Sequence, residues 1–291
     1  MTVYASTACL AGANDLWEIL DAYRAAGMRA IELGWSKVDE SGAALAGRLG
    51  EQDLDFAVHN YFPPPHDAFV LNLASPDPAI AERSLAFVLG TLELAAGLDA
   101  PVYSIHGGFV TDPVGFDGTS FVFPEPDSPH AAEQAQERFA EAVRRVVKRA
   151  EELSVRLLVE NNVCSERHVG KLLLQRTEEF TALFDAVGSP SLGILVDFGH
   201  LNVTARVLGF DRLELITALA PHVGGFHVHD NDGRADRHLP VEPDSWVVEV
   251  LRRPEFAGLP TTVEAKFESA QELAGHVRWL EREIAAGTVR S

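Results

Sequence analysis

The chain has 291 residues, 46% of them hydrophobic, with 24 Lys and Arg against 43 Asp and Glu and a formal net charge of −19. That length and apolar content allow one large core, so residues 1–291 are expected to form a single domain. The acidic balance repels polyanions and argues against nucleic acid as a partner, while two cysteines, Cys9 and Cys164, cannot build a disulfide framework or a thiolate zinc motif.

The opening MTVYASTACLAGANDLWEIL has no basic region ahead of an apolar run, so it does not read as a signal peptide. No stretch approaches the roughly 20 uninterrupted apolar residues of a membrane helix. A cytoplasmic protein with no membrane partner is expected.

Taken in chain order, short β-rich runs alternate with segments of helical periodicity. TVYAST leads to the amphipathic NDLWEILDAYRAAG, and MRAIEL and DFAVHN follow. A long Pro-rich connection, NYFPPPHDAFVLNLASPDP, then precedes the helical AERSLAFVLGTLELAAGL. After PVYSIH comes a second long connection, GGFVTDPVGFDGTSFVFPEPDSPH, and the helical AAEQAQERFAEAVRRVVKRAEEL. RLLVEN, RTEEFTALFDAVG, GILVDF, VGGFHV, TTVEAK and AQELAGHVRWLEREIAAG complete the series. Eight strand segments with crossover helices close most naturally into a (β/α)8 TIM barrel, an α/β fold. A doubly wound sheet would show a Gly-rich phosphate turn after its first strand, and STACLAGAN lacks one. Both long connections follow the C-terminal end of a strand, where barrel active sites form. Tyr61 and Phe62 in the first are read as a stiff wall over a pocket.

The chemistry lies in how these strands end. His59 follows the third run, His106 the fourth, Glu160 the fifth, Asp197 the sixth, His227 the seventh and Glu264 the eighth. One polar strand end is an ordinary satisfied side chain, but six in succession converge on one mouth of a closed barrel. Carboxylates so gathered repel one another and lose solvation unless a cation neutralises them. Oxygen and imidazole donors without thiolate suit Zn2+, Mn2+, Fe2+ or Co2+, with ion identity and number open. DFGH adds His200, and DRH adds Asp236 and His238, as further metal or substrate ligands. Lys266 is read as a partner for substrate charge or an interior salt bridge. His229 and Asp230 are read as hydroxyl or ligand partners, Trp35 as a hydrophobic wall or core residue, and Asn161 and Asn162 as turn residues or substrate donors. Cys164 reads as structural, and His66, His130, His168, His222 and His276 receive no role.

On these residues the chain resembles the xylose isomerase-like TIM barrel superfamily, which includes sugar phosphate isomerases and epimerases and the endonuclease IV family. The resemblance covers essentially the whole chain. It implies a four-residue metal site at Glu160, Asp197, His227 and Glu264. In the epimerases, Glu160 and Glu264 would also form the acid/base pair of a metal-stabilised enediolate mechanism acting on a carbohydrate-like substrate. The endonuclease pattern of nine ligands finds His59, His106, Glu160, Asp197, His200, His227, Asp236, His238 and Glu264, which implies a two- or three-zinc phosphodiesterase as the alternative. A keto-polyol dehydratase is a third reading, since the same enediolate can expel a neighbouring hydroxyl. HVHDNDGRADRHLPV resembles segments of the sugar isomerase group, and the acidic loops FPEPDSPH and VEPDSW lack the basic character a DNA groove requires. Dimers or tetramers are common in the superfamily, so a homo-oligomer is an open expectation.

Overall fold

A computed structural model describes residues 2–118 and 120–288. Its strands are β1 (Val3–Ser6), β2 (Ala30–Leu33), β3 (Asp55–His59), β4 (Val102–His106), β5 (Arg156–Glu160), β6 (Leu192–Asp197), β7 (Val223–Val228) and β8 (Thr261–Val263). They pair in parallel, each with its sequence neighbours, and β1 pairs with β8 to close the barrel. The expected (β/α)8 TIM barrel is the observed fold.

The two-residue period of each strand explains both the core and the site. On β5, Leu157 and Val159 point outward into the large helix-facing core, whereas Leu158 points inward. The inward Leu158 packs with Tyr4, Ala57, Val102 and Leu195, a floor built from five strands. Two residues further along, the inward positions turn polar: Ser6, Glu32, His59, Ser104, Glu160 and Asp197 are all buried. The sequence therefore fills the lower barrel with hydrocarbon and lines the next layer with donors and acceptors.

Helices cover the outer face. In α4 (Ala131–Leu153), Ala135, Phe139, Val143, Val147 and Ala150 recur at three- and four-residue steps and are buried. Helix α1 (Leu16–Ala25) starts at Asp15, whose carboxylate accepts from the Trp17 and Glu18 amides at 3.0 and 3.1 Å. Four shorter helices were not singled out by periodicity: Gly42–Gly50, Phe198–Leu208, Arg212–Leu219 and Trp246–Leu251. The second long connection carries a small antiparallel hairpin, Gly115–Phe116 with Phe121–Val122. Among the described residues no helix is long and apolar enough to cross a membrane.

Candidate metal centre

Parallel register brings the polar strand ends side by side. His106 pairs with Glu160, Asp197 with His227, and His227 with Thr262, while His59 pairs with Ser104. Glu264 lies one residue past β8, its amide donating to the Val228 carbonyl at 3.1 Å. Helix Phe198–Leu208 begins directly at the end of β6, so one oxygen of Asp197 caps it, accepting from the His200 amide at 2.7 Å. The other oxygen is turned into the site, 3.0 Å from His229 Nε2.

His227 Nδ1 is the geometric centre of the four-residue set. It lies 3.7 Å from Glu160 Oε1, 3.7 Å from Asp197 Oδ2 and 3.3 Å from Glu264 Oε2. On one side, His59 Nε2 and His106 Nε2 are 3.1 Å apart and lie 3.6 and 3.2 Å from Glu160 Oε2. On the other, His200 Nδ1 lies 3.1 Å from Glu160 Oε1, and Asp236 Oδ2 lies 3.4 Å from His200 Nε2 and 3.1 Å from His238 Nε2. All nine candidate ligands thus form one continuous cluster, and His229 joins it as a tenth imidazole or carboxylate. Groups of three with ligand atoms within 4.8 Å of one another run from His59, His106 and Glu160, through Glu160, Asp197 and His227, to His229, Asp236 and His238.

The donor set fits a divalent ion on the evidence of its unpaired atoms. Glu160, Asp197 and His227 are 1%, 0% and 0% exposed. Both Glu160 oxygens, His227 Nδ1, His229 Nδ1 and Asp236 Oδ1 are buried without a hydrogen-bond partner. Buried polar atoms without hydrogen bonds, and carboxylates gathered out of water, are costly to keep, and a shared cation offsets that cost at several atoms together. The local field points the same way. Burial alone would lower the His227 imidazole, but the Glu264, Glu32 and Glu160 carboxylates hold it well above its ordinary value. Burial alone would raise the Glu160 carboxyl, but the His106 and His227 charges hold it well below.

Several side chains sit differently from their expected settings. Lys266 lies beyond the end of β8, where strand alternation no longer applies. It is exposed, donating from Nζ to the Ala8 carbonyl, and so is not an interior salt bridge. Trp35 is 57% exposed and is not a core residue. His229 has no exposed surface and lies against Asp197, the setting of a ligand partner. Asn161 clamps Asp197, accepting from its amide at 2.8 Å and donating to its carbonyl at 3.0 Å. Asn162 donates to the Gly108 and Leu173 carbonyls, and Asp230 accepts from Ser245 Oγ at 2.9 Å, so neither is free for substrate. Cys164 is buried. Phe62 is fully buried and packs in the core, while Tyr61 stacks on Phe87.

Sequence reasoning missed Glu32. It is buried on β2, and its Oε2 lies 3.1 Å from His227 Nε2 and 3.0 Å from Thr262 Oγ1. The signal was a lone acid alternating with Ala30 on the inward face of AIEL.

A parallel eight-stranded barrel with helices outside and a buried His/Glu/Asp cluster at its C-terminal strand ends is a TIM barrel whose candidate site is consistent with a divalent metal. The chain belongs to the xylose isomerase-like TIM barrel family, whose model matches residues 20–283. A curated relative named probable endonuclease 4, from Chloroflexus aurantiacus, is 27% identical over 216 residues, 68% of each chain. Among solved structures, a D-tagatose 3-epimerase-like protein has a TM-score of 0.75 at 18% identity, covering 100% of this chain and 99% of the other. An L-ribulose 3-epimerase has a TM-score of 0.71 at 16% identity, covering 99% and 96%. IOLI protein with a bound zinc atom has a TM-score of 0.69 at 12% identity, covering 98% and 99%.

Proposed function

We propose that this chain is a divalent-metal-dependent isomerase or epimerase of a sugar or related polyol. The observation that carries the reading is the meeting of Glu160, Asp197 and Glu264 around His227 Nδ1, with two carboxylates contributed by β5 and the end of β8, which are not neighbours in the barrel. Glu160, Asp197, His227 and Glu264 would hold the ion. When bound, it supplies a Lewis acid that polarises a carbonyl and its neighbouring hydroxyl.

The remaining chemistry belongs to the chain. One of Glu160 and Glu264 takes the proton from the carbon beside the substrate carbonyl, and the other returns a proton to a different face or atom. Asp197 is held rigid by Asn161 and by its helix cap, and serves as a ligand only. His59, His106, His200, Asp236 and His238 orient substrate oxygens or hold further ions. His106, with 38% of its side chain exposed, is the most open member of this set towards an incoming substrate. Trp35 offers an exposed aromatic face to a sugar ring. The epimerase names among the structural neighbours support this reading, as does the net charge of −19, which disfavours a duplex nucleic acid.

The second reading, an endonuclease IV-like phosphodiesterase with two or three zinc ions, is favoured by the continuity of all nine candidate ligands and by the name of the curated relative. One experiment separates the two. Metal-loaded protein is incubated in D2O with a panel of ketoses, and exchange at the carbon beside the carbonyl is followed by NMR, in parallel with incision of an abasic duplex. Exchange with a new epimer or aldose supports the isomerase, and loss of water from the product mass marks a dehydratase. Incision without exchange, at about three tightly bound zinc ions, overturns the isomerase reading.

A further inference from the structure

We infer that Glu32 is a positioning residue that fixes the tautomer and orientation of His227, and through them the metal affinity of the centre. The inference rests on the metal reading of the site and not on the isomerase reaction.

Three observations converge on this role. First, the His227 ring bridges two layers of the barrel: Nε2 faces down to Glu32 Oε2 at 3.1 Å, and Nδ1 faces up to the carboxylates of Glu160, Asp197 and Glu264. A neutral imidazole carries one N–H, so donation from Nε2 to Glu32 leaves the Nδ1 lone pair directed into the cluster. That Nδ1 is buried and has no hydrogen-bond partner, as a ligand atom awaiting a cation requires. Second, the acceptor is itself held. The Thr262 hydroxyl donates to the same Glu32 oxygen at 3.0 Å, and Thr262 lies opposite His227 in the β7–β8 register. Residues of three strands, β2, β7 and β8, therefore define where that oxygen sits. Third, Glu32 is poorly explained as a stabilising residue. It is 2% exposed, makes no ion pair except that with His227, and leaves Oε1 buried without a partner. A buried carboxylate so placed is weak evidence of a stabilising role, and its contacts with His227 and with the Thr262 hydroxyl that steadies it direct its effect onto the imidazole.

The consequence is a joint change in metal affinity and in the His227 tautomer that an ordinary buried polar residue does not give. In Glu32→Gln the side-chain volume is kept and the buried carboxylate is removed. The metal-free variant loses the carboxylate that supports the His227 charge and is expected to melt below the metal-free wild type. Its zinc affinity, measured by competition with a fluorescent chelator, is expected to fall about 10- to 100-fold. Thr262→Val removes only the hydroxyl that steadies Glu32, and its affinity is expected to lie between the two, which keeps the test open if the Gln variant folds poorly. The tautomer is read from 15N-histidine NMR of the metal-free protein at alkaline pH, where the imidazolium favoured by the surrounding carboxylates has given up one proton, with His227 assigned by its loss in His227→Gln. Wild type is expected to show the proton on Nε2, and Glu32→Leu to lose that preference.

Wild-type zinc binding with an affinity in Glu32→Gln and Thr262→Val within twofold of it overturns the inference, as does a wild-type His227 proton on Nδ1. Absence of zinc, cobalt and manganese binding by wild type removes the metal reading and the affinity role together. The tautomer then still decides whether Glu32 holds the ring.

Discussion

Gly199 and His229 share a space that admits only one side chain: a Cβ on Gly199 would lie 1.9 Å from Cε1 of His229 and 2.3 Å from its Nδ1. The glycine is in the first turn of the helix Phe198–Leu208, and its absent side chain lets the imidazole reach Asp197 Oδ2 at 3.0 Å. Helix propensity alone would make Gly199→Ala more stable by about 1 kcal/mol. The overlap predicts the opposite sign, because His229 must move and overpacking costs about 1–3 kcal/mol. Urea denaturation of the metal-free variant checks this. Zinc titration is expected to show at least a tenfold loss of affinity, since Asp197 loses its imidazole partner. A variant more stable than wild type with intact zinc binding contradicts the packing account.

Glu160 and Glu264 are predicted to respond differently to the same substitution. Glu160 is buried among His106, His200 and His227, so Glu160→Gln leaves buried imidazole charge uncompensated and is expected to destabilise the metal-free protein by about 3–5 kcal/mol while lowering metal content sharply. Glu264 is partly open, with 12% of its side chain exposed, and contacts the cluster through His227. Glu264→Gln is expected to retain metal within about tenfold but to lose turnover by at least about 100-fold, the usual worth of a positioned acid or base. Paired metal analysis and solvent deuterium exchange test both. Equal loss of metal in the two variants would make Glu264 a ligand first and a proton carrier second.

The strands were legible because each alternates outward hydrocarbon with inward residues that change from apolar to polar along the barrel. RLLVE is the clearest case, with Leu157 and Val159 out and Leu158 and Glu160 in. The same alternation sets His227 and His229 two positions apart, though it cannot say that Gly199 packs against the His229 ring. Glu32 escaped because a single acid in AIEL reads as a solvent-facing residue of a half-buried strand. Only closure of the sheet buries both faces and sets Glu32 beneath His227, 195 positions away in sequence. The setting of Lys266 was not legible for the converse reason: it lies three residues past Val263, where the strand and its alternation have ended. The short helix after β6 was hidden because Asp197 is at once strand end, cap and site residue.

Metal removal is predicted to lower stability as well as activity. An ion that binds only the folded chain, present at about 100 times its Kd, adds about 2.7 kcal/mol. For a chain of this size that corresponds to a melting temperature about 4–5 °C higher. Thermal denaturation after dialysis against chelator, and again after restoring zinc, manganese, cobalt or iron singly, measures the shift and ranks the ions. Unchanged melting with every ion would contradict a folded-state site at these residues.

His276 provides a pH test remote from the metal cluster. It lies on the C-terminal helix Ala270–Thr288 against Phe267 and Trp279, with ring centroids 5.3 and 5.0 Å away, and its Nε2 is buried without a partner. Burial pushes the imidazole down to about 4, below its value of about 6.5 in an unfolded chain. Protonation therefore favours the unfolded state. The stability contributed by keeping His276 neutral is present in full above about pH 6.5 and is lost as the pH falls towards about 4. Allowing for its partial exposure, the loss across that window is on the order of 2 kcal/mol. His276→Phe keeps an aromatic ring between Phe267 and Trp279 and cannot be protonated. In urea denaturation of metal-free protein between pH 7.5 and 4, wild type should lose that much more stability than the variant, because the cluster carboxylates and histidines contribute equally to both. Parallel stability curves for the two proteins would mean that the folded chain lets water reach His276 and protonates it as readily as the unfolded one.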